Sequence, residues 1–161
     1  MMDRRLRASG PGAFTRDIAN LVADLAREAG LAEHDAYRLR LAADEITTNI
    51  AMHGYRGRCG MVEISGGVED DWVWLLVVDE APPFDPTHWS PSPRRAGDPV
   101  DGPVGGHGLF LALRSLDGFT YEYVAGRNRN MLWLRRSTAD RSVGPRDSPV
   151  PNMGPARGGG G

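Results

Sequence analysis

The sequence predicts an α+β fold, a two-layer sandwich of one mixed, mostly antiparallel sheet with helices packed on one face. Three observations predict it. Apolar residues recur at helical spacing in two successive segments near the N-terminus, short β-rich runs come in neighbouring pairs, and no segment repeats. Neighbouring strands pair most simply as hairpins, and helices that cluster in sequence cover the face those strands must bury. With 161 residues, 40% hydrophobic and 25% charged, the chain supplies one compact domain with a core, not two.

The elements follow in order. Residues 3–8, DRRLRA, suit a short edge strand, and SGPG interrupts the chain after it. From Phe14 the apolar positions Ile18, Leu21, Val22, Leu25 and Ala29 form one helical face, which Gly30 ends. A second helix is expected over 34–53, with Leu39, Ala43, Ile46 and Ile50 on its buried face and Gly54 as its stop. MVEIS and WVWLLVVDE read as two strands of a hairpin or meander around the turn GGVEDD. The second run is nearly all apolar, as a central strand should be. A proline-dense stretch without periodicity follows, PPFDPTHWSPSPRRAGDPVDGP. A loop of that length in a small domain is functional or disordered. GGHGLFLALRSLD then turns helical, with Leu109, Leu113 and Leu116 on one side, and FTYEYV and MLWLRR form two strands around the turn AGRNRN. Trp72, Trp74 and Trp133 read as core or sheet-face residues. From Ser137 onward large apolar residues almost vanish, so 137–161 is expected to be a disordered tail.

Composition excludes several functions. A net charge of −2 gives no electrostatic reason to bind nucleic acid directly. The single cysteine, Cys59, has no internal disulfide partner, and no stretch has the length and apolarity of a signal peptide or membrane helix, so a cytoplasmic protein is expected. Every one of the 19 cationic side chains is arginine. Without lysine there is no phosphate-binding loop of the G-x-x-x-x-G-K type and no Schiff-base lysine. The four histidines never take an H-x-x-x-H spacing, which argues against zinc.

The polar residues that break the apolar pattern are more telling. Glu45, Asn49 and His53 lie at i, i+4 and i+8 on the second helix and form one stripe along its flank. Asp79 ends the central strand, and Gly105, Gly106, His107 and Gly108 open the third helix. Each cluster alone is a turn, a cap or a solvated face. Together they supply what a nucleoside triphosphate needs. Glycines at a helix start let backbone N–H groups approach phosphate, an Asn side chain is a hard oxygen ligand for Mg²⁺, and a carboxylate accepts the amine of adenine.

DEITTN, VVDEAPPFDP and GGHGLFLALRSLD resemble, in this order, the three nucleotide-binding boxes of the histidine-kinase-like (GHKL) ATPases. N-x-x-x-H-G-Y at Asn49–Tyr55, P-F-D-P at Pro83–Pro86 and GGHGLFL resemble the bacterial anti-sigma-factor serine/threonine kinases within that superfamily, over about residues 5–136. The resemblance implies a Bergerat-type sandwich over 1–136 that holds ATP and Mg²⁺ beneath a lid at 85–104. It implies Glu45 as general base, Asn49 as Mg²⁺ ligand and Asp79 as adenine contact. His53, Ala81, Phe84, Gly105, Gly106, His107, Gly108 and Leu109 would complete the nucleotide site.

Two positions depart from the family pattern. Ala81 stands where a glycine is usual, and its methyl group is expected to crowd the base or restrict the turn; AGRNRN replaces the usual glycine-threonine pair, with Asn128 or Asn130 as candidate substitutes. The implied function is a kinase that phosphorylates an anti-anti-sigma (STAS-type) protein and sequesters an RNA polymerase sigma factor; the resemblance also suggests a homodimer. The alternative is a non-catalytic or weakly ATP-binding interaction module of the same fold. A histidine-phosphorylating sensor domain is disfavoured, because the chain has no dimerising helical hairpin.

Overall fold

The computed structural model describes residues 2–8, 14–88 and 107–136. Five strands, β1 (Met2–Ala8), β2 (Gly60–Val68), β3 (Trp72–Asp79), β4 (Gly118–Val124) and β5 (Arg127–Arg135), form one sheet in the order β1-β2-β3-β5-β4. Every pairing is antiparallel, where the sequence left room for a mixed sheet. The two hairpins, β2–β3 and β4–β5, are local; the β3–β5 pairing that joins them is not, and it sets Asp79 opposite Asn128 and Val77 opposite Asn130.

Helices α1 (Thr15–Ala29), α2 (Glu33–Asn49) and α3 (His107–Arg114) pack on one face of this sheet. Their apolar faces meet the inward positions of the strands: Ile18, Leu21 and Leu25 of α1 and Leu39, Ala43 and Ile46 of α2 share one cluster with Val62, Ile64, Val73, Leu75, Val77, Leu132 and Leu134. Each large side chain so buried contributes about 1.5–3 kcal/mol. The other sheet face carries Trp72, Trp133 and Met131, with Trp74 and Leu76 against them, so the tryptophans are sheet-face residues as expected. Arg135 lies over the Trp72 ring at 5.0 Å.

Helix ends explain how the layers are held. Gly30 takes a left-handed conformation, φ 66°, and the Leu31 N–H reaches back to the Ala26 carbonyl at 2.9 Å, a Schellman ending that turns Leu31 into the core. The Arg136 guanidinium donates to the same helix end, at the Ala29 carbonyl (3.0 Å), and to the Glu69 carbonyl (3.0 Å), tying α1 to the β2–β3 turn. Arg38 does the corresponding work for α3, donating to the Ser115 carbonyl at 2.6 Å.

Three details differ from the sequence reading. The second helix does not stay α-helical to residue 53: Ile50–Gly54 form a π turn, closed by the Tyr55 N–H on the Ile50 carbonyl at 2.8 Å. Gly54 is not its left-handed stop either; that conformation falls at Arg56 (φ 52°) and Gly57 (φ 73°). Gly54 is small because a Cβ there would lie 2.8 Å from the Ala81 Cβ. The β4–β5 turn is only Ala125–Gly126, both at positive φ as a type I′ hairpin requires, so Asn128 and Asn130 lie within β5 and not in a six-residue loop. Of the expected lid, Asp85–His88 are described; the remainder, with Gly105, Gly106 and the tail 137–161, lies outside the described residues.

Candidate functional site

The end of the sheet where β3 and β5 emerge beside the α2 C-terminus is open, and a cavity of about 200 Å³ lies there. Its walls come from four parts of the chain. Asn49, Ile50 and His53 descend from α2 and the π turn, Asp79 and Asn130 rise from β3 and β5, Ala81 and Phe84 come from the loop after β3, and Leu109 closes the side toward α3. The structure therefore brings together seven of the residues expected at the site: Asn49, His53, Asp79, Ala81, Phe84 and Leu109 on the wall, with Gly108 adjoining Leu109 in α3. His53, within the π turn, lines the same cavity as Asn49.

Asp79 is the most constrained of these groups. It is 2% exposed and has no cationic partner among the described residues. One oxygen, Oδ1, accepts the Asn128 Nδ2–H at 2.8 Å and the Ala81 N–H at 2.9 Å. The other, Oδ2, has no hydrogen-bond partner among the described residues, so the carboxylate is anchored on one side and available on the other. Burial pushes its pKa above the usual carboxylate range, against the opposing pull of the Asn128 and Ala81 hydrogen bonds.

Asn128 was a bare candidate from sequence, and the structure gives it a full set of partners. Besides Asp79, its Nδ2 donates to the Ala81 carbonyl at 3.0 Å; its Oδ1 accepts the Tyr121 hydroxyl at 2.7 Å and the Phe84 N–H at 3.2 Å. The Phe84 N–H also reaches the Tyr121 oxygen at 3.1 Å. One buried carboxamide thus fixes both the Asp79 carboxylate and the first residues of the proline-rich loop. Tyr55 acts similarly nearby: its hydroxyl donates to the Met61 carbonyl (2.6 Å) and accepts the Glu80 N–H (2.9 Å). Tyr55 stood in the sequence only as the end of the N-x-x-x-H-G-Y motif, and Tyr121 did not stand out at all, because an aromatic in a strand reads as packing.

Ala81 restricts nothing in the backbone. Its φ is not positive, so glycine is not needed for the turn, and its methyl group packs on Gly54 while facing the cavity. Glu45 stays on the flank of α2 that carries Asn49, as the helical spacing predicts. It is half-buried one turn above Asn49, off the cavity wall, with its carboxylate packed against the first turn of α3: a Cβ on Gly108 would lie 2.7 Å from Glu45 Oε2. Gly108 is thus small because a carboxylate occupies its side-chain space, beside a helix N-terminus whose dipole favours negative charge.

Among the described residues no group of three or more His, Cys, Asp and Glu side chains could hold a metal by itself. Mg²⁺ keeps several waters and takes phosphate oxygens with one or two protein ligands; the Asn49 carboxamide, on the cavity wall and without a hydrogen-bond partner among the described residues, has the chemistry of such a ligand. No helix among the described residues is long and apolar enough to cross a membrane. Arg56, which sequence reasoning passed over, also lines the cavity, exposed and without an ion-pair partner among the described residues.

Residues 12–136 match the family described as the histidine kinase-like ATPase domain, and the chain belongs to that family. No curated protein matches the chain.

Proposed function

We propose that this histidine kinase-like ATPase domain binds Mg-ATP in the cavity at the α2–β3–β5 end and transfers the γ-phosphoryl group to a serine or threonine of a partner protein. The single observation behind this reading is the Asp79 carboxylate, buried, anchored through Oδ1 and free through Oδ2 at the inner wall of a cavity that Asn49 also lines. A carboxylate so held accepts the exocyclic amine of adenine, a donor guanine lacks at that position. The cavity at about 200 Å³ falls below the ~300–1,000 Å³ of sites that enclose a drug-sized ligand, so it suits the base, and the triphosphate extends along α2 toward α3.

In this reading Asn49 holds Mg²⁺, which when bound neutralises charge developing on the phosphates. Glu45 takes the proton of the acceptor hydroxyl as its oxygen bonds to the γ-phosphorus; the bond to the β–γ bridging oxygen breaks and ADP leaves. The first turn of α3, at Gly108, faces phosphate. The partner is an anti-anti-sigma protein of STAS type, and a sigma factor is held or released according to that protein's phosphorylation, which places new charge at an interface. The setting is cytoplasmic and the assembly a homodimer.

Purified chain, Mg-ATP and the cognate partner give phosphoserine or phosphothreonine on the partner, and Glu45→Gln abolishes transfer while keeping ATP affinity. ATP binding without transfer from the unsubstituted chain would instead favour the second reading, a non-catalytic interaction module. The observation on that side is Glu45 packed beneath Gly108, off the cavity wall.

A further inference from the structure

The sheet has two edges, and the chain treats them differently. β1 reads MDRRLRA, with three arginines in seven residues, the kind of charged strand that discourages pairing with another chain. β4 reads GFTYEYV, mostly strand-forming residues, with no proline, lysine or arginine. Among the described residues β4 pairs with β5 alone, in an unbroken register from Gly118↔Trp133 to Val124↔Arg127 without a bulge. Its single charge, Glu122, is held by Arg129 at 3.1 Å, and Tyr123 and Val124 stand 46% and 49% exposed. The two-residue turn makes Val124 and Arg127 a hydrogen-bonded pair, so alternation aims the N–H and C=O groups of Phe119, Tyr121 and Tyr123 at the open edge.

We infer that this edge is where two copies of the chain join, β4 pairing antiparallel with its own counterpart about a two-fold axis at Tyr121. The order of residues in the strand argues for a second copy as the occupant. With the axis at Tyr121 all seven residues pair: Phe119 meets the partner's Tyr123, an aromatic pair, and Glu122 meets the partner's Thr120. An axis at Glu122 sets two carboxylates opposite each other, and one at Thr120 leaves the exposed Tyr123 and Val124 without partners. Half-step shifts oppose inward residues to outward ones. The Tyr121 register keeps the helices of both copies on one side of the doubled sheet, and the edges that remain are the two arginine-bearing β1 strands. It gives the homodimer of the reading above an interface. That interface also touches the cavity: the Tyr121 hydroxyl donates to Asn128 Oδ1 at 2.7 Å and accepts the Phe84 N–H at 3.1 Å, so the seam runs through the residue that anchors the loop after β3.

The test is sedimentation equilibrium of the whole chain without nucleotide, unsubstituted and as Thr120→Glu, Thr120→Lys and Tyr123→Glu, with circular dichroism to confirm folding. The unsubstituted chain is a dimer. Thr120→Glu sets like charges opposite each other twice across the axis and raises the dimer Kd about tenfold, while Thr120→Lys meets the partner's Glu122 and holds or tightens the dimer. Tyr123→Glu, at an exposed position that a folded monomer tolerates, presses a charge on the partner's Phe119 and also weakens the dimer. A folded chain that stays monomeric through the micromolar range overturns the inference, as does a dimer that both Thr120 substitutions weaken alike or leave unchanged. Titration of the same samples with Mg-ATP keeps the two readings apart. A dimer that binds no ATP removes the nucleotide reading and leaves the interface, and an unsubstituted monomer that binds ATP removes the interface alone.

Discussion

Along β5 the inward positions change character halfway. Leu132 and Leu134 are 0% exposed and sit in the apolar cluster under the helices, while Asn128 and Asn130, nearly as buried, face Asp79 and the cavity. Strand, face and burial are the same; what lies opposite differs. Burial alone therefore does not mark core from site. The mark is buried polarity at the cavity wall, where Asn128 is held by Asp79, Ala81, Tyr121 and Phe84 and Asn130 lines the cavity.

Substitutions in the two halves should separate these roles. The largest effect is expected in the apolar half: Leu132→Ala leaves a void in the shared core and costs about 3 kcal/mol in urea unfolding, with ATP affinity of the folded molecules unchanged. In the polar half the pattern reverses. Asp79→Asn should weaken Mg-ATP in calorimetry by about a hundredfold, roughly 2.7 kcal/mol, without loss of stability, because the amide oxygen can still accept from Asn128 and Ala81 while the buried charge is gone. A matching fall in unfolding stability would show Asp79 to be structural and erase the contrast. Asn128→Ala belongs to both halves at once. It should cost about 1–2 kcal/mol in unfolding and weaken ATP several-fold, since Asp79, Tyr121 and the Phe84 N–H lose their common partner.

The smallest expected effect is on pH. Asp79 has its folded-state pKa raised by burial, so the folded protein holds that proton more tightly than the unfolded chain does. Its charged form is a cost to stability that is present above the folded pKa and is relieved as pH falls through that value toward 3.8. ATP binding has the opposite slope, because an acceptor is needed, and should weaken over the same window as the carboxyl protonates. Asp44 is also raised, chiefly by burial, and adds to the stability slope. Subtracting the profile of Asp79→Asn isolates the site's share; a binding profile flat through that window in the unsubstituted chain would mean that the free oxygen of Asp79 does not touch the ligand.

Most of the fold was legible because periodicity is written locally. Leu21, Val22 and Leu25 declare a helix face, and the apolar run of β3 declares a covered strand, whatever the rest of the chain does. The flank of α2 and the carboxylate at the end of β3 were legible as polar interruptions in those patterns. Asn128 and Asn130 were only half so. Read as part of a long turn they have no side; once the turn is the two residues Ala125 and Gly126, alternation puts both on the inward face with Leu132 and Leu134. The π turn, the Glu45 carboxylate beneath Gly108 and the Tyr121 contact had no local signal.

By itself the sequence determined the elements, the face each one buries and the residues rich enough in chemistry to form a site, because these follow from spacing along a chain of fixed geometry. The tertiary structure decided which of those residues meet. Asp79 stands beside Asn128 because β3 pairs with β5 across nearly fifty residues of chain, a register fixed by burying two apolar faces together. Glu45 lies under α3 rather than on the cavity wall because of how α3 docks on α2. Hydrogen bonds and close contacts of that range depend on packing between elements, which no local pattern encodes.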